Sequence, residues 1–112
     1  MKNGFMDNII QIDMTTKRRS LKLSAYYQFD KGLKVRLINV PNCSDYSLQI
    51  EMCNAGDSVI KYCFPYSGND TEIPKELLLN GRNIQIYIFA KGSNWGKTIL
   101  DIALSIIRRP SR

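Results

Sequence analysis

Cys43, Cys53 and Cys63 have the widest chemical reach in this 112-residue chain, and the chemistry they could perform is that of a thiolate. A metal site is one form of it. Zinc, however, takes four ligands, usually from closely spaced pairs. These cysteines have no CxxC spacing, and the chain has no histidine to complete a set. An odd count without paired spacing also argues against a secreted disulfide framework. The three are therefore expected to be reduced side chains with packing roles, in a protein made in a cytoplasm, with no metal and no cofactor.

The missing histidine also removes the commonest general base, and with it Cys–His and Ser–His–Asp nucleophile systems. Carboxylates remain. Asp30, Asp45, Asp57 and Asp70 lie in turn sequences and Glu72 and Glu76 flank a turn, where turn hydrogen bonding is their expected work rather than paired acid and base catalysis. Gly96-Lys97-Thr98 has the ending of a phosphate-binding loop, but Lys91 occupies the position of its first glycine and Gly92 comes one residue too late. The chain is expected not to be an enzyme.

The net charge of +6 suits contact with nucleic acid, an anionic membrane surface or an acidic protein face, and selects none of them. Lys17, Arg18, Arg19 and Lys22 form one basic cluster; Arg108, Arg109 and Arg112 form another. Tyr26, Tyr27, Tyr62, Phe64, Tyr66, Tyr87 and Phe89 would offer stacking surfaces to single-stranded nucleic acid. The alternative is that aromatics on sheets pack a core and basic residues keep a surface solvated.

These residues must be positioned by strands. Residues 83–90 alternate aliphatic with polar or aromatic side chains, residues 91–96 supply a turn, and Leu100, Ile102, Leu104 and Ile106 then alternate with Asp101, Ala103 and Ser105. That is the period-two pattern of two half-buried strands joined as a hairpin. Residues 97–107 also fit an amphipathic helix through Ile99, Ile102, Ala103 and Ile106, but the four even-numbered aliphatics favour a strand. Further strands are expected at residues 8–14, 21–27, 33–38, 46–53 and 58–64, with a brief one at 71–73 and a helical turn at 74–79 opened by Pro74 and closed by Asn80-Gly81. Seven or so short strands with turns between them predict an all-β, Ig-like antiparallel sandwich over residues 17–112. Residues 1–16 are either an arm that pairs with a neighbouring subunit's sheet or an extra strand of the same domain. A hydrophobic content of 44% supports one domain with a real core. No stretch approaches the roughly 20 apolar residues of a membrane span, and the first residues lack the apolar run of a signal peptide, so a soluble, unexported chain is expected.

From Phe29 onward the chain resembles a family of small β-sandwich domains in the structural proteins of tailed bacteriophages and prophages. The matching pieces are Phe29-Asp30-Lys31-Gly32, the segment Leu48-Gln49-Ile50-Glu51-Met52-Cys53-Asn54, and Glu72-Ile73-Pro74-Lys75-Glu76-Leu77-Leu78 ahead of Asn80-Gly81. Ile84-Gln85-Ile86-Tyr87-Ile88-Phe89 and the run from Lys97 to Pro110 complete them. The resemblance implies a virion component that touches the major capsid protein or other virion proteins, in multiple copies. A head decoration, cement or fibre-anchoring adaptor fits best, with a tail or baseplate position open. The family's longer C-terminal region is missing after Arg112, which favours a compact subunit over a fibre shaft. Residues expected to make partner contacts are Ile10, Ile12, Arg18, Arg19, Trp95, Arg108 and Arg109. Localisation in the virion, after synthesis in the host bacterial cytoplasm, follows from the same resemblance, with a small basic nucleic-acid-binding β protein as the alternative.

Overall fold

Alternation of aliphatic and polar side chains along most of the chain produces nine strands and one short helix in the computed structural model, which describes residues 4–6, 8–27, 32–42, 44–60, 62–80 and 82–108. In chain order these are β1 (Gly4–Met6), β2 (Ile9–Asp13), β3 (Ser20–Tyr27), β4 (Lys34–Ile38), β5 (Ser47–Asn54), β6 (Tyr62–Pro65), β7 (Thr71–Glu72), α1 (Lys75–Leu79), β8 (Ile84–Lys91) and β9 (Gly96–Arg108). They form a four-stranded sheet in the order β1-β2-β4-β7 and a five-stranded sheet in the order β3-β9-β8-β5-β6.

The expected all-β sandwich is the fold, and its larger sheet carries the β9-β8-β5-β6 order that corresponds to strands G, F, C and C′ of an Ig variable-type domain. Two features differ from the expectation. The described residues form nine strands rather than about seven: the brief segment at 71–73 is a strand of its own, and Gly4–Met6 adds a short hairpin to β2. The sandwich is also not wholly antiparallel: β2 pairs with β4, and β3 with β9, in parallel register. Alternation along a strand specifies which face is buried but not which strand lies beside it, so these two pairings leave no local mark.

The core lies between the sheets. Ile84, Ile86 and Ile88 of β8, Leu100, Ile102 and Leu104 of β9, and Leu48, Ile50 and Met52 of β5 face Ile10, Ile12, Val35 and Leu37 of the smaller sheet. Ile73, Leu77 and Leu78 close one side, and each such aliphatic side chain contributes about 1.5–3 kcal/mol of burial free energy. Pro74 precedes α1 as its N-cap residue, where its missing N–H costs nothing. The expected glycine stop lies partly outside the described residues, since Gly81 is among those not described, and Asn80 takes a right-handed conformation. Residues 97–107 are strand, not helix.

Strand β2 belongs to this sandwich. Ile10 and Ile12 are 1% and 0% exposed, and β2 hydrogen-bonds along β4 from Ile9 opposite Lys34 to Asp13 opposite Ile38.

Candidate functional site

The link between β2 and β3, residues 14–19, is built by one buried carboxylate. The Thr15 N–H, the Thr15 hydroxyl and the Asn39 side-chain amide all donate to Asp13 Oδ1, at 2.9, 2.6 and 3.2 Å. The Thr16 N–H donates to the Asp13 carbonyl at 3.2 Å, and the Arg18 N–H reaches the Thr16 hydroxyl at 3.4 Å. Short polar side chains bonding to nearby backbone are a strong turn device, so this link is held rather than loose. It displays Lys17, Arg18 and Arg19 to solvent beside a cavity of about 320 Å³ lined by Asp13, Thr15, Thr16, Lys17 and Arg18. Among the described residues, none of these three cations forms an ion pair with a carboxylate.

The Arg19 carbonyl is where this link meets the larger sheet, accepting from the Asp101 N–H at 2.8 Å. Strand β3 then follows β9 from Ser20 opposite Asp101 to Tyr27 opposite Arg108. On its other flank β9 pairs with β8 from Gly96 onward. Residues Gly96 to Leu100 therefore project past the start of β3 with β8 on one flank and no described strand on the other, and Gly96, Lys97 and Thr98 are exposed. Ile99 is the extra residue of a bulge, since Thr98 lies opposite Phe89 and Leu100 opposite Ile88.

The overhang ends at the β8–β9 turn, where the Gly92 N–H donates to the Trp95 carbonyl at 2.9 Å. The Trp95 ring meets Tyr46 edge-on, with centroids 5.7 Å apart, and is 46% exposed. Arg19 lies beside the middle of β9, about five residues or some 17 Å along the strand from Trp95. Arg108 lies at the other end of β9, about 40 Å along the strand at 3.3 Å per residue. Its side chain and all of Arg109 lie outside the described residues. Ile10 and Ile12, expected as partner contacts, are instead core side chains.

The residues with chemical reach have structural partners. Burial first, then the carboxylates of Asp57 and Glu51, push the Cys53 thiol up, which keeps it protonated at neutral pH. Cys63 is exposed, donates to Gln49 Oε1 at 3.4 Å and lies opposite Glu51, two register positions away from facing Cys53. Burial and Glu51 push its thiol up, while Lys91 acts in the other direction. Cys43 lies outside the described residues. No group of three metal-ligating side chains occurs among the described residues. Asp70 binds Arg36 through two bonds of 2.9 Å, Asp57 binds Arg82 at 3.1 Å, and Glu76 accepts from the Tyr62 hydroxyl.

The aromatics divide. Tyr62 and Phe64 stack with centroids 6.1 Å apart and pack, with Tyr66, against the core. Tyr87 stands on the outer face of the larger sheet between Glu51 and Asp101, a setting that repels phosphate. Burial, then Asp101, Cys53 and Glu51, raise the Tyr87 phenol.

Two features escaped sequence reasoning. The β9 overhang depends on where β3 begins to pair, which no local signal encodes. The second is an apolar end formed by exposed Val59, Ile60, Leu79 and Ile107. These are gathered by the Asn54–Asn80 and Asp57–Arg82 contacts and by the Ile106 N–H donating to Asn83.

The chain matches no protein-family model, no curated protein and no solved structure. No helix among the described residues is long and apolar enough to cross a membrane.

Proposed function

We propose that the chain is a non-enzymatic structural protein of a tailed-phage virion, a head decoration, cement or fibre-anchoring subunit that works through protein–protein contacts. The observation that carries this reading is the division of labour among the side chains. Asp13, Asp57, Asp70, Glu76 and Cys53 are engaged in hydrogen bonds, ion pairs or packing, whereas among the described residues Lys17, Arg18 and Arg19 form no ion pair and Val59, Ile60, Leu79 and Ile107 are exposed. Of the segments that carry the resemblance, four lie on sandwich elements, at β5, from β7 through α1, at β8 and along β9, and Phe29-Asp30-Lys31 of the remaining one lies outside the described residues. Open sheet edges suit strand addition, and many weak sites on a symmetric particle give avidity without any single strong contact.

Quantitative mass spectrometry of purified particles tests this. Presence at a copy number comparable with the major capsid protein fits the head. A small multiple set by a symmetric ring fits collar, tail or baseplate. Absence from intact particles overturns the virion reading.

The specific observation favouring a second reading is the run of exposed cations at Lys17, Arg18, Arg19 and Lys22. A nucleic-acid contact there predicts affinity that falls linearly with the logarithm of salt concentration, in DNA and RNA binding assays. A flat salt dependence removes it.

A further inference from the structure

We infer that the overhang of β9 at Gly96 to Ile99, flanked by the Lys17–Arg19 turn, is a strand-addition site for an extended acidic segment of a partner protein. The inference rests on the reading of this chain as a protein-contact module, and not on its place in a virion.

The backbone supplies the first argument. Strand β9 is 13 residues long, and β3 covers it from Asp101 onward. The stretch ahead of Asp101 has β8 on one flank and no described strand on the other, so the outward N–H and C=O groups, those of Gly96 and Thr98, have no strand partner among the described residues. A row of unpaired main-chain groups is a template for another strand. The start of β3 sets its length: an incoming strand in line with β3 meets Ser20 after about four residues, some 13 Å at 3.3 Å each.

The other edges are poorer templates. Strand β6 ends in Pro65, which has no N–H to donate, and β7 has two residues. Strand β1 has three. Strand β3 is long and pairs with no described strand on its outer side, but β1 of the smaller sheet comes into contact with it.

Charge supplies the second argument, and it names the occupant. Lys17, Arg18 and Arg19 stand where the incoming strand would run out, and Lys97 is exposed on the overhang itself. The two nearest acids are engaged: Asp13 Oδ1 accepts three hydrogen bonds, and Asp101 accepts from Gln85. The cavity beside Thr15–Arg18 has room for a side chain, and its lining cations favour a carboxylate. Main-chain pairing would give the affinity, and glutamates or aspartates on the added strand would give the specificity. The bulge at Ile99 limits the pairing to a short run, which suits a weak contact repeated many times.

The chain carries its own reporter, because its single tryptophan, Trp95, immediately precedes Gly96. The experiment titrates the full chain with a short capped peptide of alternating glutamate and valine or threonine. It follows Trp95 emission and the hydrogen exchange of the Gly96 and Thr98 amides, which face away from β8, since Lys97 pairs with Ala90 in the β8 ladder. Two control peptides replace glutamate by glutamine, or carry N-methyl groups on the backbone. Saturable binding with slowed exchange at Gly96 and Thr98 is expected. The glutamine peptide and the Arg18→Glu/Arg19→Glu variant should each bind about tenfold more weakly, equivalent to about 1.4 kcal/mol, and the N-methyl peptide should not bind. Both substituted arginines are exposed, and an unchanged circular dichroism spectrum verifies the fold of the variant. Absence of saturable binding overturns the inference. So does equal binding of the N-methyl peptide, which would make the contact one of charge alone, or tighter protection of the same amides by single-stranded DNA. A negative peptide result leaves the particle mass spectrometry unaffected, so the two failures can be told apart.

Discussion

The indole of Trp95 lies against Gly92 so closely that a Cβ at Gly92 would overlap its pyrrole edge. The two residues bracket the β8–β9 turn, and Tyr46 holds the ring from the side. Gly92→Ala should therefore push the indole outward. The expected result is a red-shifted emission from the single tryptophan and a stability loss of about 1 kcal/mol, the low end for overpacking at a site able to yield. Unchanged emission would mean that the ring is not seated on Gly92.

Asn54 is a buried amide that ties the end of β5 to α1. Its Nδ2 donates to the Leu77 carbonyl at 2.9 Å, and its Oδ1 accepts from Asn80 at 2.8 Å. Replacing it by leucine removes both bonds and leaves the Leu77 carbonyl buried without this donor. Urea unfolding should show a lower midpoint at constant slope, corresponding to a loss of about 1–3 kcal/mol. A loss within 0.5 kcal/mol, the range of ordinary surface substitutions, would show that water replaces the amide.

The strands and the helical turn were legible because each carries its own signal. Ile84, Ile86 and Ile88 alternate with Gln85, Tyr87 and Phe89, and all three isoleucines are fully buried. Pro74 announces α1 in the same local way. What was not legible depends on long-range pairing. Ile10 and Ile12 look like a detached strand because the linking residues 15–20 are polar, yet β4 takes them into the core through a parallel pairing. Arg18 and Arg19 were visible as charge, but their position beside the β9 overhang follows from Asp101 bonding to Arg19 across most of the chain. Arg108 sits with them in composition and at the far end of the same strand in space.

Asp70 and Arg36 give the fold a pH dependence with a definite sign. The hydrogen bonds from Arg36 hold the Asp70 carboxyl below its ordinary value, with burial opposing and the positive charges of Arg36 and Lys34 assisting. A depressed folded pKa means that the unfolded chain binds the proton more readily. The pair's stabilisation is then fully present above the unfolded value of about 3.9 and is lost as pH falls through the lower folded value. Asp70→Asn should flatten the acid limb of a melting-temperature profile in that window while leaving its alkaline limb unchanged. An acid limb identical in wild type and variant would show that the pair does not couple to folding.

Cys53 and Cys63 should separate in their reactivity. Both thiols are pushed up by burial, but Cys53 is buried in the structure and Cys63 is exposed. The thiolate is the reactive species and access governs its attack, so in a Cys43→Ser background a disulfide reagent at neutral pH should label Cys63 first, more slowly than a free thiol. Cys53 should react only through opening of the fold, with a rate that rises in urea below the unfolding midpoint. Because its folded pKa is raised, the associated stability is present below the unfolded pKa and is lost as pH rises through the folded one. Labelling of Cys53 should therefore accelerate in alkaline solution more steeply than thiolate formation in a small-molecule thiol. Equal labelling of the two residues in native conditions would mean that β5 and β6 separate readily at this edge of the sheet.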